Sequence, residues 1–71
     1  MTYEEATATI PCGKYKHYRG NEYMVIGIAI NSETLEPMVV YREIEGEQRI
    51  WARPAEMWNQ TVNGVPRFSR I

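Results

Sequence analysis

The amino-acid sequence predicts a mainly β protein, namely a small five-stranded SH3-like barrel with one short helical turn. Three observations favour this class, beginning with the segment "EYMVIGIAI", which is apolar and rich in β-branched residues, as strands are. The segments "MVVYREI" and "QRIWAR" flank the short turn "EGE", as in a hairpin. The chain has 71 residues, enough for a single small domain. An OB-like barrel is the runner-up, although the chain is short for that fold.

Composition and charge narrow the function classes. Apolar residues make up 44% of the chain, and 8 basic against 9 acidic residues give a net charge of −1. This balance argues against a disordered chain and against a domain built mainly to hold a phosphate backbone. Cys12 is the only cysteine, so no disulfide can form within the chain, and no apolar run approaches the roughly 18 residues of a membrane span. We therefore expect a cytoplasmic protein that does not enter a membrane and uses no cofactor.

The N-terminal residues differ from the rest of the chain. Residues 1–9, "MTYEEATAT", have little apolar periodicity, so we expect a loose N-terminal arm with at most a fraying helical turn. The barrel domain is expected over residues 10–71. Its first strand is predicted over Tyr15–Tyr18 and its second over Glu22–Ile30, with a turn between them. Gly27, in the middle of the second strand, predicts a bulge or a sharp bend.

The clearest hairpin lies in the middle of the chain. Strands are predicted over Met38–Ile44 and Gln48–Arg53, and a turn centred on Gly46 determines which residues face each other. Aromatic and opposite-charge pairs across a ladder each stabilise it by about 0.2–1 kcal/mol, and this register forms several of them. It pairs Tyr41 with Trp51, Glu43 with Arg49, and Val40 with Ala52.

Loop and turn signals complete the predicted architecture. The segment "NSETLEP" is expected to form a compact acidic loop, because Pro37 restricts the residue before it to an extended conformation. Pro54 is expected to begin the short helical turn "PAEMW", where its missing N–H is harmless. Asn63-Gly64 predicts a tight turn, and a final strand is expected over Val65–Ile71.

Four segments carry a family resemblance: "GKYKHYRGNEYMVIGIA", "SETLEPMVVYRE", "WARPAEM" and "VPRF". In their order and spacing they resemble a bacterial family known as domain of unknown function 1653, over nearly the whole chain from Gly13 onward. The resemblance implies a fold similar to SH3-type barrels and implies no established activity. The position before Ser32 is commonly histidine in that family, whereas this chain has Asn31, so any metal or acid–base role of that histidine would be lost here.

An aromatic groove is the leading hypothesis for a functional site. Tyr41, Trp51 and Arg53 share one face of the predicted hairpin, and Tyr15 and His17 share one face of the first strand. The sequence leaves open whether Tyr41 and Trp51 form core or groove, and we expect Trp51 to be largely buried with one edge open beside Arg53. No nucleophile, base and orienting group occur together, so we expect a non-enzymatic binding or accessory module for a small anionic molecule or a protein partner. The candidate ligand-binding residues are completed by Tyr18, Glu33 and Glu36.

Two other functions stay open. An enzyme or metal site would use His17 with Glu33 and Glu36, although a single histidine and a single cysteine provide too few donors for a zinc site. An RNA- or DNA-binding barrel would use a basic patch together with stacking tyrosines, although the near-neutral charge of the chain argues against it. This patch consists of Lys14, Lys16 and Arg19.

Overall fold

The computed structural model describes residues 1–71 as two helices and seven strands. In chain order these are α1 (Tyr3–Thr9), β1 (Gly13–His17), β2 (Glu22–Ile30), β3 (Pro37–Glu43), β4 (Ile50–Pro54), α2 (Ala55–Trp58), β5 (Thr61–Val62), β6 (Val65–Pro66) and β7 (Phe68–Arg70). Five strands form one antiparallel sheet in the order β4-β3-β2-β1-β7, and β5 pairs with β6 in a separate hairpin. The predicted mainly β class is confirmed. Neither helix has the length and hydrophobicity that crossing a membrane requires.

The five-stranded sheet is not closed into a barrel by hydrogen bonds. β4 and β7 are its two edges and do not pair with each other. β4 ends at Pro54, which has no N–H for a further ladder, and the chain passes directly into α2. Side chains join the two sides of the sheet instead. The Trp58 ring on α2 lies 4.9 Å from the Tyr41 ring on β3 and 3.6 Å from the Phe68 ring on β7.

Aromatic rings fill the core between the sheet and α2. Trp58 is only 2% exposed, and its ring lies parallel to that of Phe68. Tyr15 and Tyr41 meet Trp58 edge-on, an arrangement that the charge distribution of aromatic rings favours. Because each ring buries a large apolar area, this small domain obtains most of its core from few side chains. The other buried core residues are Ala6, Ile10, Val25, Val39 and Ala55.

The predicted register of the central hairpin is confirmed. Tyr41 lies opposite Trp51, and Val40 lies opposite Ala52. Beyond the end of the ladder, the Glu43 N–H donates to the carbonyl oxygen of Arg49 at 3.2 Å. The register therefore places Trp51 and Arg53 on the same side of the sheet as the buried Tyr41.

Two predicted turn signals are also confirmed. The pairing of β2 with β3 shifts between Val25 and Gly27, which is the bulge expected at this glycine. Asn63 and Gly64 have φ angles of 52° and 81°, as a two-residue hairpin turn requires. This hairpin divides the expected final strand into β6 and β7, and Arg67 is the single residue that links them.

The N-terminal arm differs from the loose segment expected over residues 1–9. It forms helix α1, whose first turn is held by a capping box: Thr2 Oγ1 accepts from the Glu5 N–H, and the Glu5 carboxylate accepts from the Thr2 N–H. Ala6 and Ile10 are buried against the core. Apolar periodicity did not predict this helix, because its buried face consists of two residues and one of them is small.

Candidate functional site

His17 lies at the rim of the aromatic core and is partly buried. Its ring contacts Phe68 edge-on with centroids 5.0 Å apart and lies 4.4 Å from the ring of Tyr18. Its Nδ1 accepts a hydrogen bond from the backbone N–H of Arg19 at 3.1 Å. A neutral imidazole that accepts at one nitrogen carries its proton on the other. The Nε2–H is therefore the donor that His17 can offer to a ligand.

Three arginines bring positive charge to His17. Burial lowers the pKa of His17, and the positive charges of Arg67, Arg19 and Arg53 lower it further. Arg67 belongs to the link between β6 and β7, where its carbonyl oxygen accepts from the Tyr18 N–H at 3.0 Å. Arg53 belongs to β4, at the other edge of the sheet. We call His17 and these three arginines the cationic cluster.

The arginines of the cationic cluster have no partners of opposite charge. None of the three forms an ion pair, since the ion pairs of the chain involve only its amino terminus and Arg49 as cations. The Nε atoms of Arg53 and Arg67 are shielded from solvent and have no hydrogen-bond acceptor. The Nε of Arg19 donates to the Tyr18 hydroxyl at 3.2 Å. A buried donor without an acceptor costs about 1–3 kcal/mol, and more when it is charged.

Trp51 occupies a different environment from the one expected. It is 43% exposed, and the guanidinium over its ring belongs to Arg49, at 5.3 Å from the ring centroid. The expectation of a largely buried Trp51 beside Arg53 is therefore wrong. The reason is Glu43, whose Oε2 accepts from the Trp51 indole N–H at 3.0 Å and from Arg49 Nη2 at 3.1 Å. This carboxylate holds the indole at the outer edge of the sheet.

Two other aromatic candidates belong to the core. Tyr15 and Tyr41 are both buried, and the Tyr15 hydroxyl donates to the carbonyl oxygen of Pro11 at 2.8 Å. Burial raises the pKa of the Tyr15 hydroxyl. The sequence left open whether Tyr41 and Trp51 form core or groove. In the structure Tyr41 packs in the core, whereas Trp51 lies at the surface. Both core tyrosines pack edge-on against Trp58.

Residues 13–70 match the family described as Protein of unknown function (DUF1653). The chain belongs to this family. A crystal structure of a DUF1653 protein from Bordetella bronchiseptica is similar in fold, with a TM-score of 0.82 and 31% sequence identity. The similarity covers 92% of this chain and 91% of that chain. No curated protein matches this DUF1653 protein in sequence.

The acidic loop of this DUF1653 domain forms between β2 and β3, as predicted. Asn31 Oδ1 accepts from the backbone N–H groups of Glu33 and Thr34 at 2.9 and 3.3 Å. Glu33 and Glu36 are both exposed. No group of three or more His, Cys, Asp or Glu side chains lies close enough together to hold a metal ion. His17 and the two glutamates are thus not brought together as the metal alternative requires.

The predicted basic patch is divided between β1, which holds Lys14 and Lys16, and the following turn, which holds Arg19. Lys14 and Lys16 are exposed and alternate with the inward-facing Tyr15 and His17. Lys16 lies opposite Glu22 on β2, which places a negative charge beside it. Only Arg19, of the three patch residues, belongs to the cationic cluster.

A cavity of about 560 Å³ lies outside the cationic cluster, between the β1–β2 turn and the β3–β4 turn. Three carboxylates line it against one guanidinium, and this guanidinium already pairs with Glu43. None of the predicted site residues lines the cavity. The cavity is therefore acidic, and its one cation is already neutralised by Glu43. Its lining residues are Gly20, Asn21, Glu22, Tyr23, Glu43, Glu45, Gly46 and Arg49.

Sequence reasoning missed two residues that build the site. Arg67 supplies one of the unpartnered guanidinium groups, and Trp58 supports Phe68 by stacking at 3.6 Å. Both lie in segments that the sequence analysis treated as turn or edge. Alternation along the chain gives no signal for Arg67, which lies in the one-residue link between β6 and β7.

Proposed function

We propose that this DUF1653 domain is a non-enzymatic binding module that recognises a small anionic molecule at its cationic cluster. The observation that carries the proposal is that none of the three arginines of the cationic cluster forms an ion pair within the chain. The Nε and one Nη of a guanidinium form an edge that binds a carboxylate or phosphate through two parallel hydrogen bonds.

Packed aromatic rings of the core hold His17 of the cationic cluster in place. His17 packs against Phe68, which is stacked on the fully buried Trp58. Side chains that packed rings already hold in place lose little freedom when a ligand arrives, which lowers the cost of binding. Apolar surroundings also strengthen the attraction between a guanidinium and an anion relative to water.

The chemistry around His17 supports binding over catalysis. The charged groups that act on His17 are guanidinium groups, which neither accept a proton at neutral pH nor act as nucleophiles. The thiol of Cys12 donates to the carbonyl oxygen of Ile26 at 3.1 Å. Cys12 precedes the first residue of β1, whereas His17 is its last residue, so the two side chains lie at opposite ends of this strand.

Sulfate is a suitable first probe because it is a small oxyanion that the cluster can reach with several N–H groups. The uniformly ¹⁵N-labelled protein would be titrated with sulfate at constant ionic strength and followed by NMR. We expect saturable shift changes around His17, Arg53 and Arg67. Changes confined to the opposite face of β1, or none that saturate, would contradict the proposal.

Matched variants assign the binding to the cluster. Arg53→Met and Arg67→Met keep the apolar stem of arginine and remove its charge, and each should weaken sulfate binding at least about tenfold. Lys16→Met removes the same charge from the opposite face of β1 and should change affinity by less than about threefold, because solvent screens exposed charges. Equal losses in Lys16→Met and Arg53→Met would show a diffuse charge effect and would overturn the assignment. The ¹⁵N spectra of the free variants report whether each stays folded.

A further inference from the structure

We infer that the outer face of the five-stranded sheet is a docking surface for an acidic amphipathic helix of a partner protein. The outer face is the side of the sheet that neither α1 nor α2 covers. The inference is independent of the anion site, because His17 and Arg53 of the cationic cluster lie on the other side of the sheet. It follows from the apolar residues of the outer face, from its open centre and from its unpaired cations.

The two sides of the sheet differ in what covers them. Buried core residues of β1, β2 and β3 alternate along each strand with residues that point to the outer face. Both helices pack on the core side, where Ala6 of α1 and Trp58 of α2 belong to the same buried cluster as Val39. No outward-pointing residue of β1 to β4 is buried. The apolar part of the outer face includes Met24, Gly27, Met38, Val40, Ile50 and Ala52.

Cross-strand pairing brings these apolar residues together. Gly27 on β2 lies beside Val40 on β3, which lies beside Ala52 on β4. Met24 and Ile50 belong to the neighbouring row across the same three strands, and Ile50 is 67% exposed. Directly opposite residues of antiparallel strands have Cβ atoms about 4.5–5.5 Å apart. The apolar residues therefore form one contiguous surface.

The centre of this surface is open. Gly27 has no side chain, and a Cβ atom placed on it would meet no other atom within 4 Å. A glycine within a strand allows another backbone to approach closely, and the neighbouring Ala52 is small and exposed. Insertion into a membrane surface would instead use large apolar side chains, and single-stranded nucleic acid would need aromatic rings for stacking. The outward residues of β1 to β4 include no aromatic residue, which favours a protein partner.

The size of the apolar surface matches one helix. It spans three strands, about 4.8 Å apart, and about five residues of each, which gives roughly 250 Å². A helix with its side chains is about 10–12 Å across, so three to four turns cover a similar area. A stable interface between two folded chains buries about 800 Å² on each partner, which is well above this value.

The charges of the outer face favour an acidic partner. Lys14, Lys16 and Arg42 border the apolar surface, and none of them forms an ion pair. Glu22, opposite Lys16, is the only acidic residue among the outward residues of β1 to β4. A second copy of the chain on this face would double the excess of positive charge, whereas carboxylates beside the apolar stripe of a helix would offset it.

A designed peptide is the probe for this surface. It has about four helical turns, with leucines along one stripe and glutamates on both sides of that stripe, and a hydrocarbon staple keeps it helical. The control peptide has lysine in place of every glutamate. The ¹⁵N-labelled protein would be titrated with each peptide and followed by NMR. We expect saturable shift changes at Gly27, Val40 and Ala52, and at least about tenfold tighter binding of the glutamate peptide.

Two matched variants assign the binding to the outer face. Ala52→Glu puts a larger, negatively charged side chain at its centre and should weaken binding of the glutamate peptide at least about tenfold. Thr7→Glu adds the same charge on the exposed side of α1 and should change the affinity by less than about threefold, because solvent screens distant exposed charges. Both positions are exposed, and the ¹⁵N spectra of the free variants report whether each stays folded.

Several outcomes would overturn the inference. Equal affinities of the two peptides would contradict an acidic partner, and equal losses in Ala52→Glu and Thr7→Glu would contradict the location. A dimer in sedimentation that Ala52→Glu dissociates would make a second copy the occupant. Tighter binding to phosphatidylserine vesicles than to the glutamate peptide would make it a membrane. Absence of saturable shifts at up to about 1 mM glutamate peptide would also overturn the inference, whereas sulfate binding at the cationic cluster would be unaffected.

Discussion

Arg49 and Arg53 lie on the same face of one hairpin arm, with Trp51 between them, and have opposite surroundings. Arg49 Nη2 is 3.1 Å from Glu43 Oε2, its Nε is 3.5 Å from Glu47 Oε2, and its guanidinium covers the Trp51 ring. Arg53 forms no ion pair, and its Nε has no acceptor. We call these the paired end and the unpaired end of the hairpin. The paired end uses its charge within the fold, whereas the charge of the unpaired end has no partner in the chain.

Cross-strand neighbours determine this difference. Glu43 faces Arg49, and hydrogen bonds from Arg49 and Trp51 lower the pKa of the Glu43 carboxyl. Val39 faces Arg53 and is fully buried, so it offers neither a charge nor an acceptor. The identity of one residue across the ladder thus decides whether an arginine of this arm forms an ion pair within the chain.

The largest expected effect is a difference in the free energy of unfolding between variants of Trp58 and variants of Trp51. Trp58→Ala should lower the free energy of unfolding by about 3–5 kcal/mol, because it leaves a cavity under Phe68 and the cationic cluster. Trp51→Ala should cost about 1–2 kcal/mol, because the ring is 43% exposed. Urea denaturation of both variants measures the difference, with Trp58→Phe as a milder variant if Trp58→Ala does not fold. Similar losses of unfolding free energy in the two variants would mean that the aromatic core does not support the cationic cluster.

A carboxylate placed at the unpaired end should make it resemble the paired end. His17→Glu puts a negative charge among Arg19, Arg53 and Arg67, and His17→Gln is the neutral control of the same length. We expect His17→Glu to bind sulfate at least about tenfold more weakly than His17→Gln and to have the higher thermal midpoint. A His17→Glu variant that is less stable than His17→Gln would show that the cluster does not concentrate positive charge at this position.

A smaller effect is expected in the pH dependence of stability. The pKa of His17 is lowered from 6.5 by burial and by the charges of Arg67, Arg19 and Arg53. As the pH falls below 6.5, the unfolded chain takes up a proton on His17 that the folded protein binds only at lower pH, so the free energy of unfolding decreases. The glutamates with lowered pKa, such as Glu43, act in a separate window below 4.5. Urea denaturation between pH 4.5 and 6.5 should show a slope that is absent in His17→Gln, and equal slopes would contradict the assignment to His17.

The smallest effect is expected at the paired end. Arg49→Met should leave sulfate affinity unchanged and lower stability slightly, because ion pairs of exposed side chains contribute little. It should also make the Trp51 fluorescence more accessible to iodide, since the guanidinium that covers the ring is gone. A loss of sulfate affinity as large as that of Arg53→Met would remove the distinction between the two ends.

The fold could be predicted where the sequence carries a local signal. The register that pairs Tyr41 with Trp51, the bulge at Gly27 and the turn at Asn63-Gly64 each follow from the conformational preferences of a few neighbouring residues. Helix α1 could not be predicted in this way, because it is stabilised by a capping box and by burial of the small Ala6 against distant strands.

The candidate site was predicted only in part, for a related reason. His17 and Arg53 were identified from strand alternation, which is a local pattern. Arg67 joins them through long-range pairing of β7 with β1, and Arg49 rather than Arg53 covers Trp51 because Glu43 holds both. Which cation meets which partner depends on contacts between distant segments, and alternation along one strand does not contain this information.

The most direct test of the anion site is the pKa of His17 measured by NMR with and without sulfate. His17 is the only histidine of the chain, so its ring gives a single, assignable Cε1–H signal. Without sulfate the pKa should lie below 6.5, and bound sulfate should raise it by offsetting the charges of Arg67, Arg19 and Arg53. Arg53→Met should raise the pKa in the absence of sulfate and reduce the response to it. A pKa at or above 6.5 that does not change with sulfate would contradict an anion site at the cationic cluster.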